Sequence, residues 1–483
     1  MTVKLLSHSF STSRLFPNRS MEGLQVIGLA MIAGVLFLFN LGKGALADWD
    51  EAIYAENSKE IVSGHQWLTL FWQHKPFFEK PPLSIWIRAA LFQLFGVSEF
   101  WARFESAVAG IAIVLLTYAI ARRLSGATVG FFAAFVLLTT RHFDSEMRQG
   151  TTDAPLCLCI YLAIYCYLRL RNGGASWFYM ICAAIGLGAM IKGPAILVVL
   201  LAICIDQQLK RSTDSVLGCR EYCLGGLLVL AIVAPWHIWM IFRYGRAFLD
   251  NYVGYHMVKR ATQAIEGNSG GLLYYPSIIG RRAFPWSIVA VGAAWKWMCH
   301  REWEHSLLWL LVAVTLIMYS LIPTKLPWYI VPVYPALAIE VGWFLVEVGT
   351  NRRIVRYASV AAIALGIIAF SGVVVLQPHS QFANQVAQLA GIAKQCPGAG
   401  PLLIIDLESG PKLSTPEAVF YSDRSAILLK LPADANKIMN ALKSRAPVDA
   451  IIQSKAMDYL SQLCKVHPIA QNDLGTYALI SLK

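Results

Sequence analysis

Leu24-Gln25-Val26-Ile27-Gly28-Leu29-Ala30-Met31-Ile32-Ala33-Gly34-Val35-Leu36-Phe37-Leu38-Phe39-Asn40-Leu41 contains no Asp, Glu, Lys or Arg. A run of this length and apolarity crosses a bilayer core as a helix. Similar runs recur along the 483 residues, of which 57% are hydrophobic and only 14% charged. A soluble chain carries nearer a quarter charged residues, and the mean hydropathy here is +0.53. The fold class read from this is mainly α: a polytopic helical membrane protein. Met1 to Arg19 is basic, but no cleavage pattern of small residues follows, so Leu24 to Leu41 is expected to be a retained first span.

Candidate spans fall at 24–42, 101–122, 126–143, 154–170, 176–190, 193–206, 222–241, 276–298, 306–322, 328–348 and 356–377, about eleven. Lys and Arg in alternate connections orient them. Arg122-Arg123, Arg169 with Arg171, Lys210-Arg211, Lys296 with Arg301, and Arg352-Arg353 with Arg356 belong to the cytoplasm. Connections 43–100, 144–153, 243–275 and 323–327, and everything after about 378, then face outward. Two domains are expected: a transmembrane domain at 1–380 and a small extracytoplasmic α/β domain at 381–483. In the latter, strands are expected at 402–405, 450–452 and 476–482, and helices at 386–393, 435–443 and 456–463. No internal repeat or low-complexity segment is visible.

Directly after the first run comes Asp48-Trp49-Asp50-Glu51-Ala52-Ile53-Tyr54-Ala55-Glu56. Four carboxylates lie in nine residues of a chain whose formal charge is +12. Crowded acids repel unless cations or ligands compensate them. Such a stretch reads either as a site that uses a carboxylate or as a solvated loop and helix start. The rest of loop 43–100 is expected to form two interfacial helices, Ile53 to Val62 and Pro82 to Phe95.

The outward connections keep more cations than orientation predicts: Lys80, Arg148, Lys259-Arg260, Arg281-Arg282 and Lys325. They read as binders of a lipid phosphate or as side chains snorkelling to headgroups. Phe77-Phe78-Glu79-Lys80-Pro81-Pro82 sets Glu79 and Lys80 before a rigid turn. Asp153 heads a span, as an N-cap or a site residue. Lys192-Gly193-Pro194 breaks an apolar run, either as a functional ionisable residue or as a helix end. The ten cysteines show no metal-ligand spacing.

In combination these motifs resemble a family. The order Asp-Glu-x-x-Tyr-Ala-Glu, Phe-Glu-Lys-Pro, Met-x-Lys-Gly at 190–193 and Lys-Leu-Pro-x-Tyr at 325–329 is similar to the membrane glycosyltransferases. That group includes the lipid A aminoarabinose transferases and the protein O-mannosyltransferases. The resemblance runs from about Leu24 to Val348 and leaves out the C-terminal domain. It implies an outward-facing active site, a polyprenyl-phosphate sugar donor and inversion at the anomeric carbon. It implies catalytic Asp50, with Glu51 beside it, and donor-phosphate contacts from Lys80, Tyr329, Lys259, Arg260 and Lys325. Glu56, Asp153 and Lys192 are further site candidates. Glu79 and His256 are where the family can hold a divalent metal. The aminoarabinose enzymes carry Arg at the position of Ile53, so this departure puts aminoarabinose in doubt as the sugar.

The expected function is an inverting glycosyltransferase at the outer face of the cytoplasmic membrane. Its partners would be a polyprenyl-phosphate-linked sugar, a lipid or glycan acceptor and membrane lipids; nothing calls for nucleic acid. The alternative is a transporter or flippase of a lipid-linked or anionic solute. A transporter would place polar residues at mid-membrane in repeated halves, whereas these motifs gather on one side. Only Cys396 and Cys464 lie beyond the last span, and outside the cytoplasm they are expected to form a disulfide.

Overall fold

The computed structural model describes residues 19–47, 49–210, 217–265, 267–300, 302–349, 381–396, 400–407, 415–444, 447–472 and 475–482. Asp48 and the expected span at 356–377 lie outside these. Among the described residues up to 349 the longer α-helices are α1 (Arg19–Leu38), α2 (Asp50–Gly64), α3 (Leu83–Phe95), α4 (Glu99–Ser125), α5 (Ala127–Leu138), α6 (Arg141–Met147), α7 (Asp153–Leu170), α8 (Ser176–Lys192), α9 (Leu197–Lys210), α10 (Cys219–Tyr244), α11 (Tyr274–Arg282), α12 (Trp286–His300), α13 (Ser306–Leu321) and α14 (Val333–Gly349). A two-residue hairpin, β1 (Phe71–Trp72) with β2 (Lys75–Pro76), precedes α3.

Among the described residues, five helical stretches are long and apolar enough to cross a membrane: Glu99–Ser125, Asp153–Leu170, Ser176–Lys210, Cys219–Tyr244 and Trp303–Leu321. The chain is a multi-pass membrane protein. Two expected spans are broken. The stretch 126–143 is α5 followed by α6, because Thr139 and Thr140 turn their hydroxyls back onto the carbonyls of Phe135 and Val136, each at 2.8 Å. Such side-chain bonds compete with a continuing helix. The stretch 276–298 is α11 and α12, parted at Pro285, which cannot supply an amide donor.

The chain forms two compact units. The first holds residues 1–39, 106–148 and 152–376. Within it α7 packs on α8, α8 on α10, α5 on α14 and α9 on α13. Gly342 lets α14 approach α5 backbone to backbone: a Cβ there would lie 2.7 Å from the Ala133 amide nitrogen. Arg148 donates to the carbonyls of Leu36 and, at 2.8 Å, Phe39, at the end of α1.

The second unit holds residues 40–105, 149–151 and 377–483. The loop at 43–100 therefore packs with the C-terminal residues, a division that differs from the expected boundary at 380. The two loop helices were expected to lie on the membrane. Instead α2 is buried in protein over nine of its residues, from Glu51 to Ser58 and again at Ile61.

After α15 (Gln381–Ala393) come β3 (Leu402–Leu407), α16 (Pro416–Ser422), β4 (Ala426–Leu431), α17 (Ala435–Ser444), β5 (Val448–Gln453), α18 (Met457–Leu463), β6 (Val466–Gln471) and β7 (Tyr477–Leu482). The five-strand sheet runs β4-β3-β5-β7-β6, with β3 parallel to β4 and β5, and β7 antiparallel to β5 and β6. Side chains alternate across β3. Leu403 and Ile405 face a core with Ile438, Leu442 and Leu460, while Leu402 and Ile404 face one with Val386, Leu389 and Val419.

That alternation removes the expected disulfide. Cys464 packs on the first face and Cys396 on the second, and both are free thiols.

Candidate functional site

In the second unit Asp50 opens α2 and is partly exposed. The preceding residue, Trp49, has φ 61°, a left-handed conformation that strains a side chain of that size. The segment before it wraps around one guanidinium. Arg103 donates to the carbonyls of Leu41 (3.0 Å), Gly44 (3.2 Å) and Ala45 (2.8 Å). It also grips Glu51 through two bonds of 2.9 and 3.1 Å. Glu51 accepts from the Gly150 amide at 2.7 Å and from the Ala47 amide.

Burial pushes the Glu51 pKa up. Arg103 and the two backbone donors pull it down further, so its carboxyl stays below the ordinary range. Gly150 is a junction: its carbonyl accepts from Arg88 at 2.9 Å, and a Cβ there would lie 2.5 Å from the Ala102 carbonyl oxygen.

Glu56 is buried, 2.6 Å from the Lys59 ammonium. Burial raises its pKa to about 7 against the pull of Lys59, and the nearby charges of Glu60 and Asp423 add to the rise. Lys80 is buried and Glu79 half-buried in the turn before α3. Ile53 packs with Tyr54, Ile61, Leu70, Phe77 and Ile85, an apolar setting.

In the first unit, Asp153, Lys192, Arg260 and Tyr329 come together. Asp153 occupies the first helical position of α7 rather than the cap, which is Thr152. Its Oδ1 receives Lys192 Nζ at 2.5 Å. Lys192 stands 5.4 Å over the Tyr329 ring, and Arg260 hydrogen-bonds the Tyr329 side chain. The sequence break at Gly193, with φ 58°, ends α8 and sets Lys192 there.

Lys259 and His256 lie on the π-helical stretch Leu249–Lys259. Lys259 stands 5.1 Å over the Tyr255 ring, and His256 meets the same ring edge-on. Lys325 is spent on structure: its ammonium donates to the carbonyls of Tyr319 (2.8 Å), Ser320 (2.6 Å) and Ile322, capping α13. Among the described residues no group of three or more His, Cys, Asp or Glu gathers to hold a metal ion. Glu79 and His256 alone fall short of the usual ligand number.

Sequence reasoning missed Arg103, Gly150 and Arg88. The available signal was an Arg and a Glu, Arg103 and Glu105, inside an otherwise apolar helix.

A family model described as dolichyl-phosphate-mannose-protein mannosyltransferase matches residues 79–239. An uncharacterized protein of Aquifex aeolicus is 27% identical over 316 residues, 64% of this chain and 62% of its own length. An undecaprenyl phosphate-alpha-4-amino-4-deoxy-L-arabinose arabinosyl transferase of Erwinia tasmaniensis is 26% identical over 390 residues, 77% of this chain and 69% of its own.

Over these stretches the chain is similar to membrane glycosyltransferases. The fold is shared with a solved structure. The crystal structure of ArnT from Cupriavidus metallidurans bound to undecaprenyl phosphate superposes with TM-score 0.75 at 19% identity, covering 94% of this chain and 97% of that one.

Proposed function

We propose that this membrane glycosyltransferase moves a sugar from a polyprenyl-phosphate donor to an envelope acceptor at the outer face of the cytoplasmic membrane. The observation that carries the reading is the Asp153–Lys192–Tyr329–Arg260 group. It brings two cations, Lys192 and Arg260, to one tyrosine, a grouping suited to hold a phosphate. The related structure with undecaprenyl phosphate bound supports the donor class.

In the reaction the bond from the anomeric carbon to the phosphate oxygen breaks, and its electron pair leaves with the polyprenyl phosphate. Cations stabilise that departing charge. The acceptor oxygen attacks from the opposite face, and its proton passes to the Asp50 carboxylate. Where the acceptor is itself a phosphate, no proton need leave, and Asp50 orients it instead. Lys80 and Lys259 are further phosphate partners in this reading. Glu51 holds the loop, since Arg103 and two amides already occupy its oxygens. Ile53 in an apolar cluster favours a sugar other than aminoarabinose. The C-terminal residues lie on the extracytoplasmic side.

The test is envelope analysis of cells lacking the protein, beside cells carrying wild type or Asp50→Asn. One sugar should vanish from one envelope component in the null strain. Asp50→Asn should accumulate in the membrane yet transfer at least about a hundredfold more slowly. Transfer within a few-fold of wild type removes Asp50 from the chemistry.

A further inference from the structure

Asp50 is bracketed by two attachments to the C-terminal residues of its own unit. Four residues before it, the Leu46 amide donates to the Tyr421 hydroxyl at 2.9 Å, and that hydroxyl donates to Glu99 at 2.9 Å. The Leu46 side chain is fully buried with Ala52, Ala55, Phe92, Ala102 and Phe420. Nine residues after Asp50, the Lys59 ammonium meets Asp423 at 2.6 Å, the Phe420 carbonyl at 2.7 Å and Glu56 at 2.6 Å, and stands 4.7 Å over the Phe420 ring. Both attachments come from α16 and the residue that ends it.

Local geometry alone does not hold Asp50. The strained Trp49 lies beside it, and such a backbone persists only when its surroundings over-determine it. Arg103 organises the carbonyls of the segment, and Tyr421 supplies an acceptor for one of its amides. We propose that Tyr421 is a positioning residue for Asp50, and that α16 of the C-terminal module fixes the acid-bearing helix in its working register. The inference rests on the reading of Asp50 as the reacting carboxylate. It gives the C-terminal module a part in turnover, although that module carries none of the family motifs.

The test uses the full chain in membranes and the envelope product identified by the comparison above. Tyr421→Phe removes the shared hydroxyl and keeps the ring. The rate per folded molecule should fall by about tenfold to a hundredfold, the cost of a displaced reacting group. Binding of undecaprenyl phosphate, used as the probe, should stay within twofold. A merely structural role would lower the amount of folded protein and leave the rate per folded molecule unchanged; that result overturns the proposal. Should Tyr421→Phe not fold, Asp423→Asn loosens the other attachment: a lowered rate with unchanged probe binding supports the proposal, and a wild-type rate overturns it. Asp50→Asn is measured alongside. If it is active, the reading of Asp50 has failed and this inference falls with it. If it is inactive while Tyr421→Phe is unaffected, only the positioning has failed.

Discussion

At Gly150 an amide donates to Glu51, a carbonyl accepts from Arg88, and no room remains for a side chain. Gly150→Ala should therefore displace the Glu51–Arg103 clamp, costing about 3 kcal/mol or more from crowding and from weakened charged hydrogen bonds. Its melting temperature in detergent should fall well below that of wild type; an unchanged melt removes the junction. Glu56 gives a pH dependence. Its folded pKa, about 7, lies above the ordinary carboxyl value of 4.5. The folded state thus holds the proton longer than the unfolded one. That contribution is fully present below pH 4.5 and is lost as pH rises through about 7. The melting difference between wild type and Glu56→Gln should therefore change between pH 5 and 8, with wild type losing relative ground at the higher pH. Parallel pH curves for the two proteins would contradict this. The motifs that single out Asp50 and Lys80 are local, so the sequence alone could put these two residues forward. Arg103 and Gly150 were not, because each acts on residues about fifty and one hundred positions earlier.

Among elements, helices with long apolar runs were readable, and their interruptions less so. The α5–α6 break depends on hydroxyls choosing carbonyls of their own chain, an outcome composition does not encode. In the C-terminal sheet, the expected strands correspond to β3, β5 and β7, which are buried runs. The strands passed over are the edges. β4 exposes Ile427, Leu428 and Lys430 without a period-two pattern, and β6 contains Pro468, which weakens any strand signal. The α5–α14 contact yields a further expectation. Gly342→Val would push side-chain atoms into the Ala133 backbone, so it should lower the melting temperature or the folded yield. Gly349→Val, with open space around it, should not. Equal behaviour of the two would contradict close backbone packing there.

For the whole molecule, the sequence made the membrane class and the C-terminal α/β character plain. It did not reveal which residues pack as one body. The boundary expected at 380 follows composition, whereas packing joins residues 40–105 to the C-terminal residues. Cys396 and Cys464 show the same limit: compartment and their place beyond the last span favoured a bridge, but the sheet separates them. Both thiols should take up a membrane-impermeant maleimide after unfolding without reductant. Failure to label until reductant is added would contradict the free thiols.

The bonds from Leu46 and Lys59 to Tyr421 and Asp423 span 375 and 364 residues of chain. At roughly 5–20 residues per second of synthesis, the partners arrive about 20 to 75 seconds after the segment they secure. During that interval the nascent loop has left the ribosome with a buried-type amide and a lysine awaiting their acceptors. A chain truncated before Tyr421 would lack both partners, leaving that amide and that lysine without the acceptors that secure them.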